Sequence, residues 1–208
     1  MSTFVPTILL AIVTYPLVFL VAFPVLLGLH CAFGRAFDVR RIVIFFLLGL
    51  SVWGPLCLTN MPLPNDYAAF CANPPPGLAP RLEPFQFVAP AKYFLSVLVR
   101  EGRVLIIPFL IGSFLNFWML FPAGCLLRVL KKRHFLVPIA IGLVSSLFLE
   151  LTQLTGIWGI IGCTHRTFDV DDIILNTAGF FGGWVGMSVL FWLTDRFRSG
   201  AGDRQDNQ

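Results

Sequence analysis

Glu150-Leu151-Thr152-Gln153, a glycine-rich connection, then His165-Arg166-Thr167-Phe168-Asp169-Val170-Asp171-Asp172, and finally Asn176 and Gly179 form the stretch whose reading decides the fold. On either side the chain turns apolar: Phe135 to Leu149 before it and Ile173 to Leu193 after it carry no charged residue. Each flank approaches or reaches the roughly 20 residues with which a helix crosses the bilayer hydrocarbon. A carboxylate a few residues short of a helix end then sits in the outer part of the membrane. A charge placed at the centre of a spanning helix costs about 3 kcal/mol on insertion scales, so such residues are usually paired and often functional.

Composition points the same way. Of 208 residues, 57% are hydrophobic and 12% charged, against about 25% charged in soluble domains. Mean hydropathy is +0.81. Twenty-two Phe and five Trp suit lipid-facing helices with interfacial aromatics. The net charge of +4 is no nucleic-acid signal, because the basic residues fall at helix ends and not in one stripe. The expected fold is an all-α polytopic membrane protein with five transmembrane helices and a proline-rich extracellular loop.

The first expected span, Phe4 to Phe33, is uncharged and contains Pro6, Pro16 and Pro24, which favour a bend. It lacks a basic n-region and a clear small-residue cleavage site, so it reads as a retained helix and not a signal peptide. Arg35, Asp38, Arg40 and Arg41 make a turn before the second span, Ile42 to Thr59. Eight prolines between Asn60 and Arg103, Pro62 to Pro90, exclude a long helix from most of that stretch. Its last part, Lys92 to Arg103, reads either as a short helix lying in the interface or as an early turn of the third span. The third span, Val104 to Leu127, holds Asn116 near its middle. The fourth runs from Phe135 to Leu154 and the fifth from Asp172 to Leu193. The chain thus divides into two N-terminal helices (1–59), the loop (60–103), a three-helix core (104–194) and a tail (195–208).

Ten Lys and Arg residues flank the spans on one side and five on the other. The richer side is expected to be cytoplasmic, which puts the N-terminus and both polar loops outside and the C-terminus inside. The expected location is the plasma membrane.

Asp169, Asp172, Asn176, Gly179 and Gly183 follow steps of three and four, so they share one face of the fifth helix. Its first turn is acidic, where the helix dipole favours anions. Its glycines admit a close neighbour. Glu150 and Gln153 share a face of the fourth helix. Arg166, the one strong cation of the connecting loop, is expected to offer a bidentate fork to Asp169, Asp172 or Glu150. Asp171 points off the stripe and reads as a solvated charge.

These residues resemble the VanZ-like membrane proteins. The pattern is Asn116-Phe117-Trp118-Met119-Leu120-Phe121-Pro122-Ala123-Gly124, then Glu150-x-x-Gln153, then Arg166-x-Phe168-Asp169-x-x-Asp172-x-x-x-Asn176-x-x-Gly179. Leu82-Glu83-Pro84-Phe85 is similar to the family's Leu-x-Pro-Phe element, with Arg81 standing where many members carry Asn. The resemblance covers Leu82 to Trp192. It implies an envelope protein of a family whose namesake is linked to teicoplanin resistance.

Two readings of the polar residues compete: an ion-pair network that only joins helices, and a pocket for a polar head group. Gln153 and Asn176 also suit hydrogen-bonding glue between helices. His165 beside Asp169, Asp171 and Asp172 raises the question of a hard cation, Mg, Ca or Mn. No fixed ligand spacing supports one, so no metal and no cofactor is assigned. No Ser-His-Asp order, phosphate-cradling loop or Cys-x-x-Cys occurs.

The reading adopted is an outward-facing pocket between the third, fourth and fifth helices, built from Asn116, Glu150, Gln153, Arg166, Asp169, Asp172 and Asn176. It would bind an envelope lipid or precursor, or a glycopeptide-like ligand. The alternatives are a membrane-embedded enzyme using Glu150 or Asp172 as acid or base, and a small transporter. Of five cysteines, only Cys71 and Cys163 fall in the expected outer loops, where disulfides persist. A bridge between them is expected to tie the proline-rich loop to the segment before Arg166.

Overall fold

The computed structural model describes residues 9, 13–20, 39–101, 108–130 and 134–205. Helices in this range are α1 (Val39–Asn60), α2 (Tyr67–Ala72), α3 (Val88–Glu101), α4 (Pro108–Leu130), α5 (Leu136–Leu154) and α6 (Val170–Gln205). Four of them, α1, α4, α5 and α6, are long and apolar enough to cross a membrane. Most of the first expected span, Phe4 to Phe33, lies outside the described residues. Its helical portion 13–20 packs on α1, where Tyr15 donates to the Phe46 carbonyl at 2.5 Å and Trp53 to the Thr14 hydroxyl at 3.1 Å.

The core is built by α4, α5 and α6. Leu120, Ala123, Leu149 and Phe180 meet there with almost no exposure. Lipid tails are as apolar as these side chains, so close packing and small residues, not water exclusion, hold spanning helices together. The glycines show it directly. A methyl added to Gly179 or Gly183 would overlap the backbone carbonyl of Phe117 or Phe121, and one added to Gly124 would overlap that of Phe180. The α4 and α6 backbones therefore touch. The stripe of small residues on the fifth span serves the third span, two helices away in sequence.

The last helix runs past the expected span, and residues 195–205 of the tail continue α6 as helix. Residues 88–101 form helix α3, with Lys92, Tyr93, Leu95 and Val99 exposed. Pro90 falls in its first turn, the place a helix tolerates proline.

The loop ahead of α3 is clamped to the start of α6. Arg81 N donates to Phe168 O at 2.8 Å and Arg81 O accepts from Val170 N at 3.1 Å. Cys71 and Cys163 are joined by a disulfide with Cα atoms 5.8 Å apart. Thr167 adds a hydrogen bond to Gly77 O at 2.8 Å. The α5–α6 connection is itself tightly turned, with positive φ at Gly156, Ile157, Trp158, Gly159 and Gly162. Ile157 N and Ile161 N close it onto Thr152 O and Gly156 O.

Candidate functional site

The ends of α1 and α5 and the starts of α4 and α6 lie at one end of the bundle, with the loop 61–87 folded over them. A cavity of about 550 Å³ opens there, chiefly between α1 and α4. Its apolar wall includes Leu58, Leu115 and Met119, and its polar end holds Asn116, Gln153, Arg166 and Asp172. The pocket expected between the third, fourth and fifth spans thus has the second span as a wall. The reason is the glycine contact: α4 and α6 lie too close for space between them, and the gap falls on the other side of α4.

The seven expected residues separate into two groups. Asn116, Gln153, Arg166 and Asp172 line the cavity; Glu150, Asp169 and Asn176 lie behind it. Asn116 Nδ2 donates to Asp172 Oδ1, which ties α4 to α6 at the cavity floor. Gln153 is 6% exposed and contributes to the cavity wall.

The second group is structural. Glu150 is 1% exposed, and its Oε2 accepts from the backbone nitrogen of Asp169 at 2.9 Å. That nitrogen sits just ahead of α6, where helix-start donors lack partners within their own helix, so a carboxylate from α5 caps α6. Asn176 Nδ2 donates to Ser146 Oγ at 3.1 Å, joining α5 to α6 deeper in the bundle.

Two expectations are corrected. Arg166 makes no fork to a carboxylate: among the described residues no Asp or Glu oxygen lies within ion-pair distance, and its Nη2 donates to Met61 O at 2.5 Å. The cation that reaches Asp169 is Arg81, at 3.6 Å, with its own side chain half exposed. Arg166 is displaced because the chain leaving α1 crosses in front of it and offers a carbonyl first. Nor is Asp171 a solvated charge. It is 3% exposed, accepting from Phe85 N at 2.5 Å and Phe87 N at 3.2 Å. Helical periodicity placed it off the acidic stripe, and the folding of residues 81–87 over that face buried it. The Leu82-Glu83-Pro84-Phe85 element is therefore the partner of Asp171.

Sequence reasoning also passed over His165 as a buried group. It is 6% exposed, and both ring nitrogens lack a hydrogen-bond partner among the described residues. The backbones of Asn60 and Gln153 lie near the ring and favour its protonated form. Burial first, then the adjacent Arg166 charge, push its pKa below the ordinary imidazole value. Its position next to Arg166 was the one available signal. Among the described residues no group of three His, Cys, Asp or Glu side chains converges to hold a metal ion.

A family model described as VanZ/LLP1 matches residues 45–193, which include every wall of the cavity. No curated protein and no solved structure matches the chain.

Proposed function

The chain belongs to the VanZ/LLP1 family of membrane proteins, and from that premise we propose that its cavity binds the polar head of an envelope lipid or lipid-linked precursor at the outer leaflet of the plasma membrane. One observation carries this reading. The Arg166 guanidinium, with a backbone carbonyl and no carboxylate as its partner among the described residues, lines the polar end of a cavity that also holds Gln153 and Asn116. A guanidinium that has been given only a carbonyl suits an anionic ligand that completes its fork. Arg166 supplies charge for a phosphate or carboxylate, and Asn116 and Asp172 supply amide and carboxylate partners at the floor. The cavity size lies in the range of small-molecule sites.

The orientation used here is the one favoured by ten basic residues against five, with the cavity end outside and the C-terminus in the cytoplasm. An influence on teicoplanin susceptibility would follow from holding an envelope molecule at that surface. The test is native mass spectrometry of full-length protein in nanodiscs containing phosphatidylglycerol. Retention of bound lipid in wild type, reduced at least fivefold in Arg166→Gln and Gln153→Leu, supports the reading. Equal retention in all three removes it.

A second reading rests on Asp172, whose carboxylate reaches the same cavity. As an acid or base it would act on a lipid-linked substrate. Turnover of such a substrate by wild type and its loss in Asp172→Asn would favour this enzyme over a binding protein. A transporter gains no specific observation.

A further inference from the structure

We infer that the ligand of the outer cavity carries a hydrocarbon chain, and that this chain lies in a second groove deeper in the bundle. The inference rests on the binding reading above and narrows its ligand to a molecule with a long apolar tail, excluding a soluble glycopeptide-like one.

The groove has a volume of about 360 Å³ and is bounded by α1, α4 and α5, with Phe180 of α6 at its base. Apart from Ser51 and Ser145 its walls are apolar, and the Ser51 hydroxyl is already spent on its own helix, donating to Leu47 O at 2.7 Å. Nothing in it would recognise a polar group. Pro55 borders both the groove and the outer cavity.

The two spaces also share one face of one helix. Leu48, Ser51, Val52 and Pro55 line the groove, and Pro55, Leu58 and Thr59 line the cavity. Their spacing of three and four places them on a single stripe of α1. From Leu48 to Thr59 that stripe is about 16 Å long at 1.5 Å per residue. Polarity therefore changes in one direction along it, from Arg166 and Gln153 at the outer end to hydrocarbon contacts at the inner end. An envelope lipid has the same gradient.

Physical chemistry decides what would hold the chain there. Lipid tails surrounding the protein are as apolar as the groove, so a chain gains no hydrophobic free energy by entering. What favours one particular chain is its covalent link to a bound head group, which raises its effective concentration at the groove. Occupancy of the groove should then depend on residues of the outer cavity, which it does not touch. Bulk lipid filling a crevice would show no such dependence.

The experiment uses full-length protein in phosphatidylglycerol nanodiscs with two photo-crosslinking probes. Both are phosphatidylglycerols, one with a diazirine in the head group and one with it near the end of an acyl chain. In wild type the head probe should label the Gln153–Arg166 region, and the chain probe should label groove residues such as Leu127, Ile141 and Ser145. Arg166→Gln, and independently Gln153→Leu, should lower both labels at least threefold. If the head label falls while the groove label stays, bulk lipid fills the groove: the inference is overturned and the binding reading survives. If the head probe never labels the outer cavity, the binding reading fails and the inference with it. Ser51→Trp and Val144→Trp, which fill the groove from α1 and from α5, should each lower the chain label there. Persistence of that label in both folded variants would also overturn the inference.

Discussion

The buried carboxylate of Glu150 receives the backbone N–H of Asp169, 2.9 Å away, so the end of one spanning helix caps the beginning of the next. The contact crosses the fifteen-residue α5–α6 connection and fixes the height at which Asp172 enters the cavity.

Glu150→Gln retains an acceptor for that N–H and should leave thermal stability in detergent close to wild type. Glu150→Leu removes it and should cost about 1–3 kcal/mol through an unsatisfied donor. Equal melting temperatures for the two variants would show that the cap contributes nothing.

Asp171 holds Phe85 and Phe87 by their backbone nitrogens. Asp171→Ala should leave both unpaired, at about 1–3 kcal/mol each, with Asp171→Asn falling between it and wild type. Hydrogen exchange gives the direct readout: the amides of residues 85 and 87 should exchange faster in Asp171→Ala. Unchanged exchange at both would mean that the clamp is not maintained in solution.

Gly179→Ala places a methyl against the Phe117 carbonyl. The α4 and α6 helices must separate to admit it, so the change should destabilise by about 1–3 kcal/mol, the usual range for overpacking. Gly112→Ala is the control, because nothing lies within 4 Å of the added carbon. Equal melting of the two variants would contradict the close backbone contact.

Cys71 and Cys163 are separated by 92 residues, a loop whose closure contributes about 4.6 kcal/mol in the chain-entropy model. Alkylation of denatured protein should leave both unmodified until a reductant is added, whereas Cys57 and Cys125 react without one. Modification of all four without reductant would show that the bridge is absent.

His165 supplies a pH dependence with a definite sign. Its folded-state pKa is depressed, by burial first and by Arg166 second, from an ordinary value near 6.5. The unfolded chain therefore binds more protons just below that value, and stability falls as pH drops from about 6.5 toward the folded pKa. Melting compared at pH 7.5 and pH 5.5 should show a larger drop in wild type than in His165→Gln. An identical drop in both would assign the effect to carboxylates alone.

Amino-acid order alone determined the membrane class, the helices now seen as α1, α4, α5 and α6, and the motif residues Asn116, Gln153, Arg166 and Asp172 that come to line one cavity. These were legible because long uncharged runs have one stable form in hydrocarbon, where backbone polar groups must be satisfied within the segment. Helical periodicity likewise put Asp172, Asn176 and Gly179 on one face. Only the tertiary structure decided who meets whom. It gave Asp169 to Arg81 and Arg166 to the Met61 carbonyl, buried Asp171 under residues 85–87, and made α1 a wall of the cavity. Those pairings join residues up to 105 positions apart. Periodicity describes one helix at a time, whereas such partners are chosen by how closely the backbones of α4 and α6 approach and by where the clamped loop is laid across their ends.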